Sequence, residues 1–196
     1  MAGAAETVNK VLYGMSKCYI AKLTETDGAI TYDTPFEMPG VVGLSPEPQG
    51  ETTKHYADNI VYYIANSNQG YEGELVITLT PEEFFTKILG QTKDTNGAII
   101  ENANDKTARF ALMFEGQGDK TARRWVYWDC TATRPTREHN TTEESIEVAT
   151  ESITITMSPR STDNAIKCHI EPTEENKAIY DKFFTKVYEK DAEAGV

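Results

Sequence analysis

The sequence lacks most of the features that would name a chemistry outright. Cysteine occurs only at 18, 130 and 168 in 196 residues, without a C-x-x-C pair. That excludes a thioredoxin-type motif and a zinc knuckle, and leaves three thiols expected to behave as small apolar side chains. Histidine is as rare, at 55, 139 and 169, and forms neither an H-x-x-x-H nor an H-E-x-x-H spacing. Cys168 and His169 are neighbours, but adjacent strand residues point to opposite faces and cannot chelate one ion. There is no G-x-S-x-G elbow for a serine nucleophile. No apolar run approaches the ~20 residues that span a bilayer. Residues 1–10 contain no apolar stretch of a signal peptide, so synthesis in the cytoplasm is expected. Positive charge is scarce: 19 Lys and Arg stand against 31 Asp and Glu, a net charge of −12. A general nucleic-acid binder needs the opposite balance.

What is present is strand-forming sequence. Residues 17–24 alternate, with Cys18 and Ile20 facing opposite to Tyr19, Ala21 and Leu23. Residues 59–66 (NIVYYIAN) and 71–80 flank Ser67-Asn68-Gln69-Gly70 and predict a β-hairpin. Residues 109–115 place Phe110, Leu112 and Phe114 on one side, and the turn 116–120 leads into the strand 122–133. There Trp125 and Tyr127 oppose Val126, Trp128 and Cys130, so both faces are apolar and both are expected to be covered. Residues 145–158 change phase between Val148 and Ile153, which predicts a β-bulge near Thr150.

Two segments read as helices. Thr80-Pro81-Glu82-Glu83 is a capping box with proline at the first position, Phe84, Phe85, Ile88 and Leu89 form the apolar stripe, and Gly90 ends it. Thr173 after Pro172 opens the second, near 174–190, with Ile179, Tyr180, Phe183, Phe184, Val187 and Tyr188 at helical spacing. Residues 35–50 read as neither helix nor strand. They hold four of the eight prolines and three glycines, together with Phe36, Met38, Val41, Val42 and Leu44. A loop this long either folds back over its own core or projects as an arm onto another molecule.

No constellation demands an active site. Gly116–Thr121 lacks the G-K-[ST] of a phosphate loop, and Asp94-Thr95-Asn96-Gly97 lacks the rest of a calcium loop and fits a tight turn. Glu147 and Glu151 share strand parity, which leaves an acid-dependent hydrolase open, and Trp125, Trp128, Tyr62 and Tyr63 leave open a small β-sandwich binding a carbohydrate or another ligand. Charge is uneven. Residues 106–137 hold seven Lys or Arg against three acids, whereas 138–151 hold five acids and no Lys or Arg. Opposed zones of this kind allow head-to-tail self-association.

The blocks PGVVGLSPEPQG (39–50), YADNIVYYIANSNQGYEGELVI (56–77), ILG with NGAIIENAN (88–104), FALMFE (110–115), DCTATRP (129–135) and YDKFFTKVYE (180–189) occur in this order. Together they resemble the major tail protein, or tail-tube protein, of long-tailed bacteriophages, a type also found in prophages and phage-tail-like bacteriocins. The resemblance implies a mainly β, sandwich- or barrel-like core flanked by helix, in a single domain 1–196. That domain would have an N-terminal segment 1–16, a projecting loop 35–50 and a C-terminal helix 173–190. It implies a non-enzymatic virion subunit without cofactor, which assembles into hexameric rings stacked as a hollow tube. A tape-measure protein and tail-end proteins are the implied partners, and DNA passes through without sequence-specific contact. On this reading Phe36, Met38, Val41, Val42 and Leu44 are expected at the contact between rings. The acidic run with Glu143, Glu144, Glu147 and Glu151 is expected to line the bore, where basic side chains would hold phosphates and slow DNA.

Each copy brings −12 to an assembly, so self-repulsion must be offset by specific contacts. In light scattering, low ionic strength is expected to favour dispersed subunits and added salt to favour assemblies; a strict monomer at high concentration across all salt conditions counts against self-assembly.

Overall fold

The β-branched and aromatic runs form strands, and the turns between them decide which runs pair. The computed structural model describes residues 14–117, 122–141 and 148–190. The first strands are β1 (Met15–Thr26), β2 (Ala29–Tyr32), β3 (Phe36–Glu37), β4 (Val41–Gln49), β5 (Thr52–Ala57), β6 (Ile60–Asn66) and β7 (Gly70–Ile77). A helical turn α1 (Phe84–Ile88) follows, then β8 (Thr92–Lys93), β9 (Ile99–Ile100), β10 (Phe110–Gly116), β11 (Arg124–Ala132) and β12 (Thr136–Arg137). The last elements are β13 (Glu151–Met157), β14 (Lys167–Ile170) and a short helix α2 (Lys177–Asp181). The main sheet is antiparallel and runs β2-β1-β10-β11-β13-β7-β4, with β3 beside β1, β14 beside β11 and β12 beside β13. Two ribbons, β5–β6 and β8–β9, stand apart from it. Among the described residues no helix is long and apolar enough to cross a membrane.

The sheet has a core on each face. On one, Cys18 and Ile20 of β1, Leu112 of β10, Tyr127 of β11 and Ile153, Ile155 and Met157 of β13 pack with Phe84, Ile88 and Leu89 from the α1 region. Val41 and Leu44 of β4 pack on the same cluster, so the sheet curls until its two ends share one core, without pairing into a closed barrel. On the other face Ala21, Ala111, Met113, Val126 and Trp128 are covered by Phe183 and Val187. β11 is therefore covered on both sides, as its sequence requires. Cys130 departs from expectation. An irregularity in the β10–β11 register, where Phe110 pairs with Cys130 but Leu112 with Tyr127, adds a residue to β11 and turns Cys130 to the face of Tyr127.

The C-terminal cover is fastened by two buried arginines. Arg124 donates from Nε to Glu115 at 2.8 Å and from its other end to the Tyr180 carbonyl, with its guanidinium 3.7 Å from the Tyr180 ring centroid. Lys17 reaches the same Glu115 at 3.0 Å from a bulge in β1, where its φ is +50°. Arg160 forks onto Asp163 at 3.1 and 2.7 Å, reaches Glu189 at 2.6 Å and lies 4.7 Å from the Trp128 ring centroid. Trp128 in turn donates Nε1–H to the Tyr188 carbonyl at 2.7 Å. A buried guanidinium is tolerable only with its charge and donors matched in this way.

Several elements differ from the sequence reading. Residues 35–50 are not a projecting loop: Phe36 and Met38 are buried, and 41–49 form the edge strand β4, paired along β7. Pro46 and Pro48 disguised it, because proline fits a sheet only at an edge that needs no outward donor. Gly73 permits the close pairing, since a Cβ there would lie 2.5 Å from the Ser45 carbonyl oxygen.

Residues 59–66 pair not with β7 but with β5, across Asp58-Asn59, whose φ values of +52° and +62° suit a two-residue hairpin turn. β13 begins only at Glu151, and Val148 is exposed instead of sharing the face of Ile153. Residue 146 lies outside the described residues.

Both helices are shorter than predicted. Thr80 does not cap α1: its N–H donates to Glu151 at 3.2 Å and its hydroxyl has no partner. The turn is widened, with the Leu89 N–H bonded to the Phe84 carbonyl at 3.0 Å, and Gly90 ends it at φ +75°. Thr173 and Asn176 do cap each other, at 2.8 and 3.2 Å, but regular helix stops at Asp181. Arg124 and the Phe183 N–H share the Tyr180 carbonyl, which tightens the next turn.

Replacing Arg160 by Met is expected to cost about 3 kcal/mol in denaturant unfolding, because Asp163 and Glu189 lose the guanidinium and Asp163 keeps only Lys190, 3.1 Å away, as a charged partner in a half-buried site. Arg160 also holds the Asp163 carboxyl well below the usual carboxylate range. A depressed native pKa contributes stability that is complete above the ordinary value near 4 and fades as pH falls below it. Unfolding free energy is therefore expected to fall below about pH 4, and Asp163→Asn to flatten that fall.

Candidate assembly surface

Elementary accounting of exposed apolar area locates the surface. β6 carries five consecutive large apolar residues, Ile60, Val61, Tyr62, Tyr63 and Ile64, between 42% and 75% exposed, and Tyr56 on β5 adds a sixth at 62%. Successive strand residues point to opposite sides, so both faces of the β5–β6 ribbon are apolar. The ribbon is anchored at its base, where the Ser67 N–H donates to the Glu51 carbonyl and the Gln69 N–H to the Gln49 carbonyl, each at 2.9 Å. Thr52 and Asn66 add a side-chain bond at 2.9 Å. Six such side chains leave on the order of 600 Å² in water, near the upper limit of what an isolated monomer shows.

The residues singled out from sequence are distributed differently. Of the five in 35–50, Phe36 and Met38 belong to the core, Val41 and Leu44 are half-buried against it, and only Val42 is open to solvent. Of the acidic run, Glu143, Glu144 and Glu147 lie outside the described residues. Glu151 is buried, bonded to Arg137 and to the Thr80 N–H, and so belongs to no exposed acidic face. The candidate aromatics do not converge either: Trp128 is buried under the C-terminal segment, Trp125 stacks half-buried on Phe114 at 5.3 Å, and Tyr62 and Tyr63 are out on the ribbon.

The five arginines of the basic zone are each paired with a carboxylate. Arg109 pairs with Asp129 and Glu25, Arg123 with Glu171, Arg124 with Glu115, Arg134 with Glu101 and Arg137 with Glu151. Charges that cluster in sequence are thus matched across strands.

No reactive thiol emerges among the described residues. The Cys18 thiol is buried and pushed up to about 12, burial holds Cys130 well above its ordinary value, and Cys168 is raised to about 11, so all three are protonated at neutral pH. Among the described residues no group of three or more His, Cys, Asp or Glu is placed to hold a metal ion. The ribbon was legible only in part. NIVYYIAN announced a strand, while its exposure had no local signal beyond the Asp-Asn turn that pairs it with β5.

A family model described as phage tail tube protein matches residues 1–194. No curated protein matches the chain in sequence. Among solved structures, the chain is similar to the tube terminating cap of an anti-feeding prophage, at 14% identity and a TM-score of 0.46, covering 88% of this chain and 100% of that one. It is also similar to a chain of the extended sheath-tube complex of an extracellular contractile injection system (PVC), at 11% identity and a TM-score of 0.44, over 80% and 89%. A third likeness is to Hcp1 from Flavobacterium johnsoniae, at 10% identity and a TM-score of 0.33, over 74% and 91%. All three are distant, and the family rests on the match over residues 1–194.

If the ribbon is surface and 36–38 is core, urea unfolding separates them. Ile60→Ser with Tyr62→Ser is expected to change the unfolding free energy by less than about 0.5 kcal/mol. Met38→Ala is expected to cost about 2–5 kcal/mol.

Proposed function

The chain belongs to the phage tail tube protein family, and from that premise we propose that it forms the tube wall itself, in rings of six copies that stack through the β5–β6 ribbon around a bore that conducts DNA. The observation that carries this reading is the ribbon: six exposed large apolar side chains on a hairpin held away from the main sheet. Burying one such side chain contributes roughly 1.5–3 kcal/mol, so several per copy can offset the repulsion of subunits that each carry −12. The subunit is then a component of the virion tail, with a tape-measure protein in the bore during assembly and tail-end proteins at its limits. Glu143, Glu144 and Glu147 remain the proposed acidic lining, which repels phosphate and lets DNA slide.

Negative-stain and cryo-electron microscopy of concentrated purified protein test this directly. Hollow tubes of six-fold rings are expected, with residues 143–147 facing the axis. Monodisperse small particles under all salt conditions overturn the assembly, and a bore lined by Arg123 and Arg137 overturns the acidic lining.

A further inference from the structure

Among the described residues, most of the exposed large apolar side chains lie at the two opposite ends of one group of strands. β4, β7 and β13 pair from Pro48, Tyr71 and Met157 at one end to Val41, Ile77 and Glu151 at the other, with Val42 the extra residue at a β4 irregularity between Val41 and Gly43. At about 3.3 Å per residue the two ends are about 20 Å apart. The β5–β6 ribbon leaves from the Tyr71 end. At the Ile77 end stand Val42, Leu79 and Val148, 63%, 62% and 73% exposed. Val42 adjoins Val41, and Val148 lies three residues before Glu151. Leu79 is held between them, because the Thr78 N–H bonds the Gly40 carbonyl at 2.9 Å and the Thr80 N–H bonds Glu151 at 3.2 Å. Ile99 and Ile100 of β9 are exposed as well, 36% and 45%. The adjacent Glu101 takes Arg134 at 2.6 Å, just before β12, whose Arg137 pairs with Glu151. Among the described residues, Ile99, Ile100 and Ile179 are the large exposed apolar side chains that these strand pairings place at neither end.

We infer that the Ile77 end, centred on Val42, Leu79 and Val148, is the acceptor for the β5–β6 ribbon of a second copy, which makes the contact head-to-tail. The inference rests on the tube reading and adds the surface that receives the ribbon. An isologous contact, ribbon against ribbon, would leave the Ile77 end in water and close as a pair. A ribbon on an acceptor at the opposite end repeats without closing, as a tube must. The area agrees when both faces are used: on the order of 600 Å² over the two faces of the ribbon, divided between two acceptor ends of the next ring, approaches the about 800 Å² per partner of a standard interface. Because the ribbon is apolar on both faces, one acceptor end covers one face, and the other meets the acceptor end of the neighbouring copy in the same ring.

Complementary variants decide it. A ribbon variant, Tyr62→Asp with Tyr63→Asp, and an acceptor variant, Leu79→Asp with Val148→Asp, change only exposed positions, and unchanged melting temperatures confirm folding. Each alone is expected to lose tubes while keeping rings. Mixed after ring formation, they are expected to give two-ring particles and nothing longer, because each pair has one intact ribbon–acceptor contact. Tubes of wild-type length from the acceptor variant overturn the acceptor and leave the tube reading standing. Absence of any two-ring species in the mixture also overturns the acceptor. A wild-type chain that makes no tube in any salt overturns both.

Discussion

Strands β10 and β11 carry apolar side chains on both faces, so their pairing is stable only when both faces are covered. The rest of the structure follows from that demand. On one face the sheet supplies its own cover by curling, which brings β4 and β1 to the same cluster, and the α1 turn fills the remaining gap with Phe84 and Ile88. On the other face no strand among the described residues lies over the sheet, and the C-terminal segment takes the place of a second layer with Phe183 and Val187. A single short helix has too little apolar surface to hold itself there, which is why Arg124 and Arg160 fasten it at two points through carbonyl and carboxylate partners.

This arrangement engages the arginines around β11. The arginines of β11 and its flanks are committed to carboxylates elsewhere in the fold, and two of those carboxylates, on Glu115 and Glu151, are themselves buried. The surplus of acid is therefore left to the surface, so copies of the chain repel one another in general. Attraction has to come from apolar area placed at particular spots. Long-range repulsion with short-range apolar contact favours ordered association over indiscriminate aggregation.

The same economy explains the edges. β4 ends the sheet with two prolines, which deny donors to any approaching strand and protect that edge from unplanned pairing. The apolar residues are placed instead on the β5–β6 ribbon and at the far end of β4, β7 and β13, where they stand exposed.

By itself the sequence determined the strand-rich class, the two-sided character of β11, the core role of Cys18 and Ile20, the end of α1 at Gly90 and the family, through blocks spread along the chain. These depend on local preference and on the period of apolar residues, which a linear reading contains. Tertiary structure alone decided that 41–49 is a strand, that 60–66 turns back on 52–57, and that Phe36 and Met38 are core while Tyr62 and Tyr63 are surface. It also decided that a run of basic residues is a set of cross-strand ion pairs. The physical reason is that strands compete for partners distant in sequence. An apolar strand is core or surface according to whether another layer reaches it, and only the folded chain settles which layers exist.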